Sequence, residues 1–437
     1  MKQNAPPWLD HGSIDEIKFC QEFLQEHPMI CVNDAFFTVE GRIHDESGLR
    51  HQIFEKLKPN VAHGLPKKVS NLLDVLKMEC HSTPLPIHHD RIHVANGTYF
   101  LDGTFLYQRT FCRNRLPVAY HPDAPQPVTW LHFLSQLLEP EDILTLQEFM
   151  GYCFLPTTKG QKMLFLVGKG GEGKSRIGVV LNALLGSNMN TGSIAKVEAS
   201  PFARADLEHR LVLLDDDMKL EALPQTNNIK AIVTAELPMD LEKKGKQSYQ
   251  GDLYVRFLAF GNGTLSALYD RSIGFFRRQI ILTTKDREPN RIDDPYLSEK
   301  LIAEKEGIFL WCLEGLHRLI DNNFQFTVSE QAKANIKDAI QEGNSIVEFL
   351  DSEGYIQFKA DSESTSSGLY AAYKFWCNEN AATPLSMKSF VMFLKQNERA
   401  YNLEYTNKVH AQNGRYVRGF VGIEILCPQL GGWGVMT

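Results

Sequence analysis

The sequence predicts an α/β protein built around a parallel sheet. Four apolar runs, KMLFLVG, RLVLLDDD, YVRFLAFGN and RRQIILTT, lie between about residues 160 and 325, and stretches with helical spacing separate them. Nearly continuous apolar strands joined by helices are typical of a sheet that is covered on both faces. The 437 residues, of which 43% are hydrophobic and 23% charged, are enough for two or three globular domains.

Composition limits the classes of function. The net charge of -7 argues against a chain that wraps nucleic acid over its whole surface, so such contacts must come from local basic patches. The eight cysteines are scattered without a C-x-x-C pair, which favours reduced thiols over disulfides or a zinc ribbon. No apolar run is long enough to span a bilayer, and the N-terminus lacks the apolar core of a signal peptide. We therefore expect a cytoplasmic protein without a membrane partner.

The flanking segments differ from the central block. Within residues 1–90, SGLRHQIFEKLKP and PKKVSNLLDVLKMEC have helical spacing. Residues 91–110 alternate around Asn-Gly and Asp-Gly pairs, which predicts a meander of short strands. Near the C-terminus we expect ADSESTSSG, residues 360–368, to be an exposed loop.

The segment GKGGEGKS, residues 168–175, matches the phosphate-binding pattern G-x-x-x-x-G-K-[ST] between a predicted strand and a predicted helix. Glycines let successive backbone N–H groups point at phosphate oxygens, and the helix N-terminus adds positive potential. We expect Lys174 to reach the β- and γ-phosphates of ATP, and the Ser175 hydroxyl to bind Mg²⁺. The alternative, a flexible loop that matches by chance, is disfavoured by the strand and helix around it. The predicted nucleotide-binding residues are Gly168, Gly170, Gly171, Glu172, Gly173, Lys174, Ser175 and Arg176.

Two further apolar runs end in polar residues suited to ATP hydrolysis. After RLVLL come three aspartates: we assign Asp215 to Mg²⁺ and Asp216 to the attacking water, with Asp217 as the alternative after a one-residue slip. Asn262 ends YVRFLAFGN, and its amide could contact both the γ-phosphate and that water. An acidic helix cap for the aspartates and a plain Asn-Gly turn for Asn262 are the structural alternatives.

Arg277 and Arg278 stand at the start of RRQIILTT. An arginine supplied across a subunit boundary would stabilise the charge of the transition state and make hydrolysis depend on assembly. Adjacent strand residues point in opposite directions, so at most one of the two reaches a given site, and Arg271 is a weaker candidate. A pair of surface cations is the alternative interpretation.

The segment EKKGK, before the run that ends in Asn262, predicts a hairpin tip with a concentration of positive charge. In an otherwise acidic chain, its Lys243, Lys244 and Lys246 are candidates to bind the DNA backbone. The alternative is a solvated charged loop.

The order GKGGEGKS, LLDDD, EKKGK, AFGN and GFFRRQIIL resembles the superfamily 3 helicases, which are AAA+ motors of phages, plasmids, integrative elements and poxvirus-type primase–helicases. The resemblance implies an AAA+ P-loop ATPase core at 159–330 and a collar-like domain at 91–158. A variable N-terminal region, 1–90, would precede the collar-like domain, and we expect this N-terminal part of the chain to be mixed α/β. The segment SGLYAAYKFWCNENAATPLSMKSFVMFLK resembles the C-terminal winged-helix domain of the same proteins, which implies a winged-helix-like domain at 340–437.

The resemblance also implies a function. It indicates an ATP-dependent DNA helicase, a hydrolase that forms hexameric rings and unwinds duplex DNA to replicate a phage, plasmid or mobile element in a bacterial or phage-infected cell. ATP would lie between subunits, and the cationic hairpin would grip single-stranded or forked DNA in the channel. The alternative is an ATP-switched DNA-binding initiator or loader without processive unwinding.

Two points about partners follow from the resemblance. Residues 1–90 are too few for a primase domain, so we expect no primer synthesis from this chain, and a separate primase or polymerase is a candidate partner. The winged-helix-like domain could bind either DNA or protein. The side chains that would contact DNA there are Lys388, Lys395, Lys408, His410, Arg415 and Arg418.

Overall fold

The computed structural model of the chain describes residues 6–10, 12–218, 226–245, 247–262, 273–288, 290–343, 345–382, 384–410 and 414–426. The described residues fall into two compact units, one drawn from 1–263 and 277–333 and the other from 264–276 and 334–437. In the part of the chain so described, no helix combines the length and apolar character needed to cross a membrane.

Within residues 6–80, the described part of the chain forms helices and short strands around a core of its own. Their elements are β1 (Leu9–Asp10), β2 (Ser13–Ile14), α1 (Glu16–Glu26), β3 (Ile30–Val32), β4 (Ala35–Thr38), β5 (Gly41–Arg42), α2 (Ser47–Leu57) and α3 (Leu65–Glu79). The helices α2 and α3 confirm the two predicted from apolar spacing. The antiparallel sheet β3–β4–β5 was not predicted. Trp8, Phe36 and Leu72 are buried in the core of this region.

A strand meander and two helices follow. They are β6 (Arg91–Val94), β7 (Gly97–Phe100), β8 (Phe105–Leu106), α4 (Val128–Leu137) and α5 (Pro140–Tyr152). The antiparallel pairing of β6 with β7 and of β7 with β8 confirms the predicted meander. Trp130 of α4 and Phe149 of α5 are fully buried in a core that also includes the strands of the central sheet.

The central sheet contains five parallel strands. The elements of this block are β9 (Met163–Gly168), α6 (Ser175–Leu185), a 3₁₀ turn (Gly186–Asn188), β10 (Met189–Thr191), α7 (Ile194–Ala199), α8 (Pro201–Ala205), β11 (Val212–Asp215), α9 (Asn227–Val233), β12 (Met239–Leu241), β13 (Tyr249–Gly251), β14 (Arg256–Asn262), α10 (Ile273–Phe276), β15 (Gln279–Thr283), α11 (Leu297–Ala303) and α12 (Lys305–Asp321). The four predicted apolar runs form β9, β11, β14 and β15. All residues of these strands except some at their ends are buried, because both faces of the sheet are covered.

The strand order places the carboxyl end of β9 at a topological switch point. The sheet runs β10–β11–β14–β9–β15 with every pair parallel, so β9 lies between two strands that come much later in the chain. In open parallel sheets, ligands bind beyond the carboxyl ends of the strands at such a point. The segment after β9 is the predicted phosphate-binding loop.

The remaining elements are α13 (Glu330–Gly343), α14 (Ser345–Asp351), β16 (Ile356–Thr365), α15 (Ser366–Glu379), α16 (Met387–Gln396), α17 (Glu398–Tyr401), β17 (Glu404–His410) and β18 (Tyr416–Ile425). The expectation of an exposed loop at 360–368 is wrong, because β16 extends to Thr365 and α15 begins at the next residue. β16 pairs with β18 on both sides of an irregularity between Phe358 and Glu363. Most of its polar side chains stay exposed and give no apolar alternation.

Candidate functional site

Residues 168–175, called the P-loop below after the sequence pattern that they match, join β9 to α6 at the carboxyl ends of the parallel strands. Gly170, Gly171 and Gly173 have φ values of +107°, +83° and +110°, a region that residues with a Cβ rarely adopt. At Gly173 a Cβ would also stand 3.3 Å from a ring carbon of Phe133. The backbone conformation therefore requires these glycines.

Lys174 forms a buried ion pair inside the loop. Its Nζ lies 2.8 Å from Oε2 of Glu172, and the two side chains are 7% and 4% exposed. The backbone N–H of Gly170 donates to Oε1 of Glu172 at 2.7 Å. Burial by itself would raise the pKa of Glu172, but hydrogen bonds from Lys174 and from backbone amides outweigh it, so the pKa is lowered. Both the lysine and a loop amide are thus bound to a carboxylate.

Strand pairing brings Asn262 to the P-loop. Asn262 ends β14 and is the register partner of Gly168, the last residue of β9. Its Oδ1 lies 3.7 Å from the position that a Cβ would occupy on Gly170. An amide at this distance from the loop is placed to contact a ligand held there.

Asp215, the last residue of β11, and Asp216, the next residue, occupy different surroundings. Asp216 is exposed and lines the same cavity as Lys174 and Ser175. Asp215 is 8% exposed, and its Oδ2 accepts a hydrogen bond from the Ile194 N–H at 2.8 Å. Burial raises the pKa of Asp215. The assignment of Asp215 to Mg²⁺ stays a prediction, and Asp216 is the carboxylate that faces the cavity.

The cavity at the P-loop has a volume of about 900 Å³, which is within the range of small-molecule sites. Helix α4 supplies one wall, the P-loop and the ends of β11 and β14 supply another, and α11 with the segment before it supplies the third. The lining residues are Thr129, His132, Phe133, Gln136, Gly171, Glu172, Gly173, Lys174, Ser175, Arg176, Asp216, Asn262, Arg287, Arg291, Ile292, Asp293, Asp294, Pro295, Leu297 and Lys300.

Two arginines that sequence analysis did not single out lie over the P-loop. Arg291 donates to the carbonyl oxygens of Glu172 at 2.8 Å and Gly171 at 3.0 Å, and Arg287 donates to Gly171 at 3.4 Å. Both guanidinium groups pair with the carboxylate of Asp293. These arginines lie in an irregular segment with no strand or helix periodicity. Only their spacing of four residues in DREPNR could have drawn attention to them.

Arg277 and Arg278 lie at the amino end of β15, the end of the sheet opposite to the P-loop. The register of β15 with β9 begins at Gln279 opposite Met163, whereas the P-loop starts five residues later in β9. At about 3.3 Å per residue this is roughly 16 Å along the strands. Neither arginine lines the cavity. The structure therefore does not bring these arginines to the P-loop of their own chain.

The predicted cationic hairpin is formed by β12 and β13, which pair antiparallel. Lys243 lies at its turn, with Nζ 2.8 Å from Oε2 of Glu208 and 4.6 Å from the ring centre of Tyr249. Lys244 is exposed, and Lys246 lies outside the described residues. The carboxylate of Glu208 also accepts a hydrogen bond from the Tyr249 hydroxyl at 2.8 Å. Lys243 is therefore engaged within the protein, whereas Lys244 faces solvent.

No group of three or more His, Cys, Asp or Glu residues suited to a metal occurs within the described ranges. A magnesium site of the predicted kind does not need one, because Mg²⁺ in nucleotide sites is bound by one or two protein ligands together with substrate phosphates and water. The Ser175 hydroxyl and the Asp216 carboxylate, both on the cavity wall, are hard oxygen donors of the kind that Mg²⁺ prefers.

Comparison with known proteins places the fold. Residues 166–278, which begin within β9 and end at Arg278, match a family described only as a family of unknown function, DUF5906. Solved structures of the NrS-1 C-terminal region in its apo form are similar over 93% of this chain and 99% of theirs. Two of them have TM-scores of 0.52 and 0.50, at 12% and 11% sequence identity. At this level of identity the likeness concerns the mixed α/β fold alone.

Proposed function

We propose that this chain is an ATP-driven DNA helicase of the superfamily 3 type, with an AAA+ core at 159–330. The observation that carries the proposal is the convergence of Lys174, Ser175, Asp216 and Asn262 at one edge of the five-stranded parallel sheet. This edge combines a glycine-rich phosphate cradle, a carboxylate and an amide, which are the groups that ATP hydrolysis needs.

Each group has a role in hydrolysis. Lys174 and the loop amides bind the β- and γ-phosphates. Asp216 accepts a proton from the attacking water, and Asn262 orients that water against the γ-phosphate. Ser175, with Asp215, would hold Mg²⁺, which neutralises charge on the phosphates when it is bound.

The distant position of Arg277 and Arg278 supports a ring. An arginine that stabilises the transition state must approach the γ-phosphate, and these two lie roughly 16 Å from the P-loop along their own sheet. In a hexamer, one of them enters the site of the neighbouring subunit. Hydrolysis then occurs only in assembled rings.

The DNA contacts lie outside the ATP cavity. Lys244, with Lys243 once it is released from Glu208, contacts the backbone of single-stranded or forked DNA. In the second unit, helices α15 and α16 with the hairpin β17–β18 support a winged-helix domain within residues 340–437. The collar-like domain at 91–158 and the variable region at 1–90 complete the proposed organisation, and a separate primase or polymerase is a candidate partner.

A forked-duplex strand-displacement assay tests the proposal. Wild type should displace the strand only with ATP, and Lys174→Ala should lose displacement and ATP hydrolysis while it still binds DNA. A matched control is Lys169→Ala, because Lys169 belongs to the same loop but its side chain is 80% exposed. If wild type neither hydrolyses ATP nor displaces a strand under any condition, the proposal is wrong.

The ion pair between Lys243 and Glu208 favours a second candidate, an ATP-switched initiator or loader. A hairpin whose first lysine is bound to the protein grips DNA less strongly than one with all its lysines free. An initiator of this kind would hydrolyse ATP when DNA is added and would never displace a strand, so the same assay separates the two.

A further inference from the structure

The carboxylate of Glu172 occupies the interior of the P-loop. It accepts hydrogen bonds from Lys174 Nζ at 2.8 Å and from the Gly170 N–H at 2.7 Å. Both groups belong to the set of donors that a P-loop directs at nucleotide phosphates. An anion of the protein thus binds the donors that a phosphate would use.

The Glu172 carboxylate and the Lys174 ammonium group both lie close to Gly168. A Cβ at Gly168 would lie 2.9 Å from Oε1 of Glu172 and 2.9 Å from Nζ of Lys174, and it would clash with the hydroxyl of Thr284. The Thr284 hydroxyl is buried, and the structure gives it no hydrogen-bond partner among the described residues. Three polar groups, from Thr284, Glu172 and Lys174, therefore lie beside Gly168.

The backbone of the P-loop is bound by an arginine from outside the loop. Arg291 binds the carbonyl oxygens of Gly171 and Glu172, and Asp293 holds the guanidinium in place. Since the backbone around Glu172 is anchored, its side chain is the part that can move. The adjoining cavity of about 900 Å³ gives the side chain room to do so.

We propose that Glu172 is a specificity-determining residue of the nucleotide site, an internal competitor whose carboxylate fills the β-phosphate position until a nucleoside diphosphate or triphosphate displaces it. This inference rests on the proposed function, because it requires a site that binds nucleotide. Two anions cannot share Lys174 and the Gly170 amide in the low-dielectric interior of the loop. Every ligand with a β-phosphate therefore binds at the cost of the Glu172 contacts, whereas a monophosphate leaves them in place.

Titration calorimetry with ADP and with AMP tests the inference without hydrolysis. Glu172→Gln keeps the size of the side chain and removes its charge, so ADP should bind roughly tenfold more tightly, as expected for the loss of one competing charge-assisted hydrogen bond. The affinity for AMP should be unchanged. If Glu172 had a purely structural role, Glu172→Gln would weaken the binding of ADP and of AMP together.

The matched control is Asp286→Asn. Asp286 pairs with Lys169 of the same loop at 2.8 Å, but both side chains are more than 70% exposed, so its loss should not alter ADP binding. If Glu172→Gln binds ADP no more tightly than wild type does, or if ADP and AMP change by the same factor, the inference is overturned and the proposed function stands. If neither protein binds ADP or ATP, the proposed function falls as well.

Discussion

Asn262 lies directly beside Gly168 in the parallel pairing of β14 with β9. The two residues are 94 positions apart in the chain, so only the sheet register brings the amide to the first residue of the P-loop. The same register places the carboxyl end of β14 level with the loop, and the Asn262 side chain lines the cavity beside Lys174 and Asp216. This adjacency makes Asn262 the most direct probe of the proposed ATP hydrolysis as distinct from nucleotide binding.

Asn262→Ala should lower the rate of ATP hydrolysis by roughly 100-fold, the loss typical of one preorganised polar group at a reacting centre. Binding of a non-hydrolysable ATP analogue should change little, because the P-loop donors remain. Asn190→Ala is the control: Asn190 lies on β10 of the same sheet and its amide binds the carbonyl oxygen of Asp206. If Asn262→Ala hydrolyses ATP as fast as wild type does, Asn262 has no role in hydrolysis.

Mixing experiments test whether the site is shared between subunits. The double variant Arg277→Ala/Arg278→Ala should lose ATP hydrolysis. It should still bind nucleotide, because both arginines lie at the amino end of β15, far from the P-loop of their own chain. Mixed with Lys174→Ala, which lacks only the P-loop lysine, the inactive arginine variant should regain part of the hydrolysis through hybrid rings. Absence of recovery at every mixing ratio would contradict a site completed by a neighbouring subunit.

The contact between Lys243 and Glu208 makes a prediction about DNA affinity. Glu208→Gln should free Lys243 and tighten binding of single-stranded DNA several-fold, whereas Lys244→Glu should weaken it and reduce the slope of log affinity against log salt by about one. Fluorescence anisotropy across a salt series measures both effects. The control is Lys67→Glu, an exposed lysine of α3. Equal effects of the Lys244 and Lys67 reversals would exclude the hairpin as a DNA contact.

Two histidines predict a loss of stability in mild acid. Burial lowers the pKa of His93 to about 4 and that of His209 to about 3. An unfolded chain, whose histidines titrate near pH 6.5, therefore binds more protons than the folded protein below that pH. Stability is fully present above pH 6.5 and should fall by up to about 1.4 kcal/mol per pH unit for each histidine as the pH is lowered toward 4.

Thermal unfolding between pH 7 and pH 5 measures this loss. His93→Gln should flatten the decline of Tm with falling pH, because Gln does not titrate. His63→Gln should not, since His63 is exposed. Identical pH profiles for wild type and His93→Gln would show that His93 does not contribute.

The sequence revealed the elements whose signal is local. Four apolar runs predicted four strands of the parallel sheet because a strand buried on both faces must be apolar at nearly every position. The P-loop was visible because its backbone conformation demands glycines at fixed positions. β16 was missed because its ladder to β18 involves backbone groups while its side chains remain polar and exposed.

Within the candidate site, the sequence alone determined which segments carry the glycine-rich loop with its lysine, the acidic groups and the amide, since residue type and the ends of apolar runs fix those. The tertiary structure decided what those groups contact. It set Asp216 rather than Asp215 on the cavity wall, placed Arg287 and Arg291 over the loop, and paired Lys174 with Glu172. The physical reason is that pairings between residues distant in the chain, and the direction of each side chain, depend on strand order and packing, which no local pattern of residues encodes.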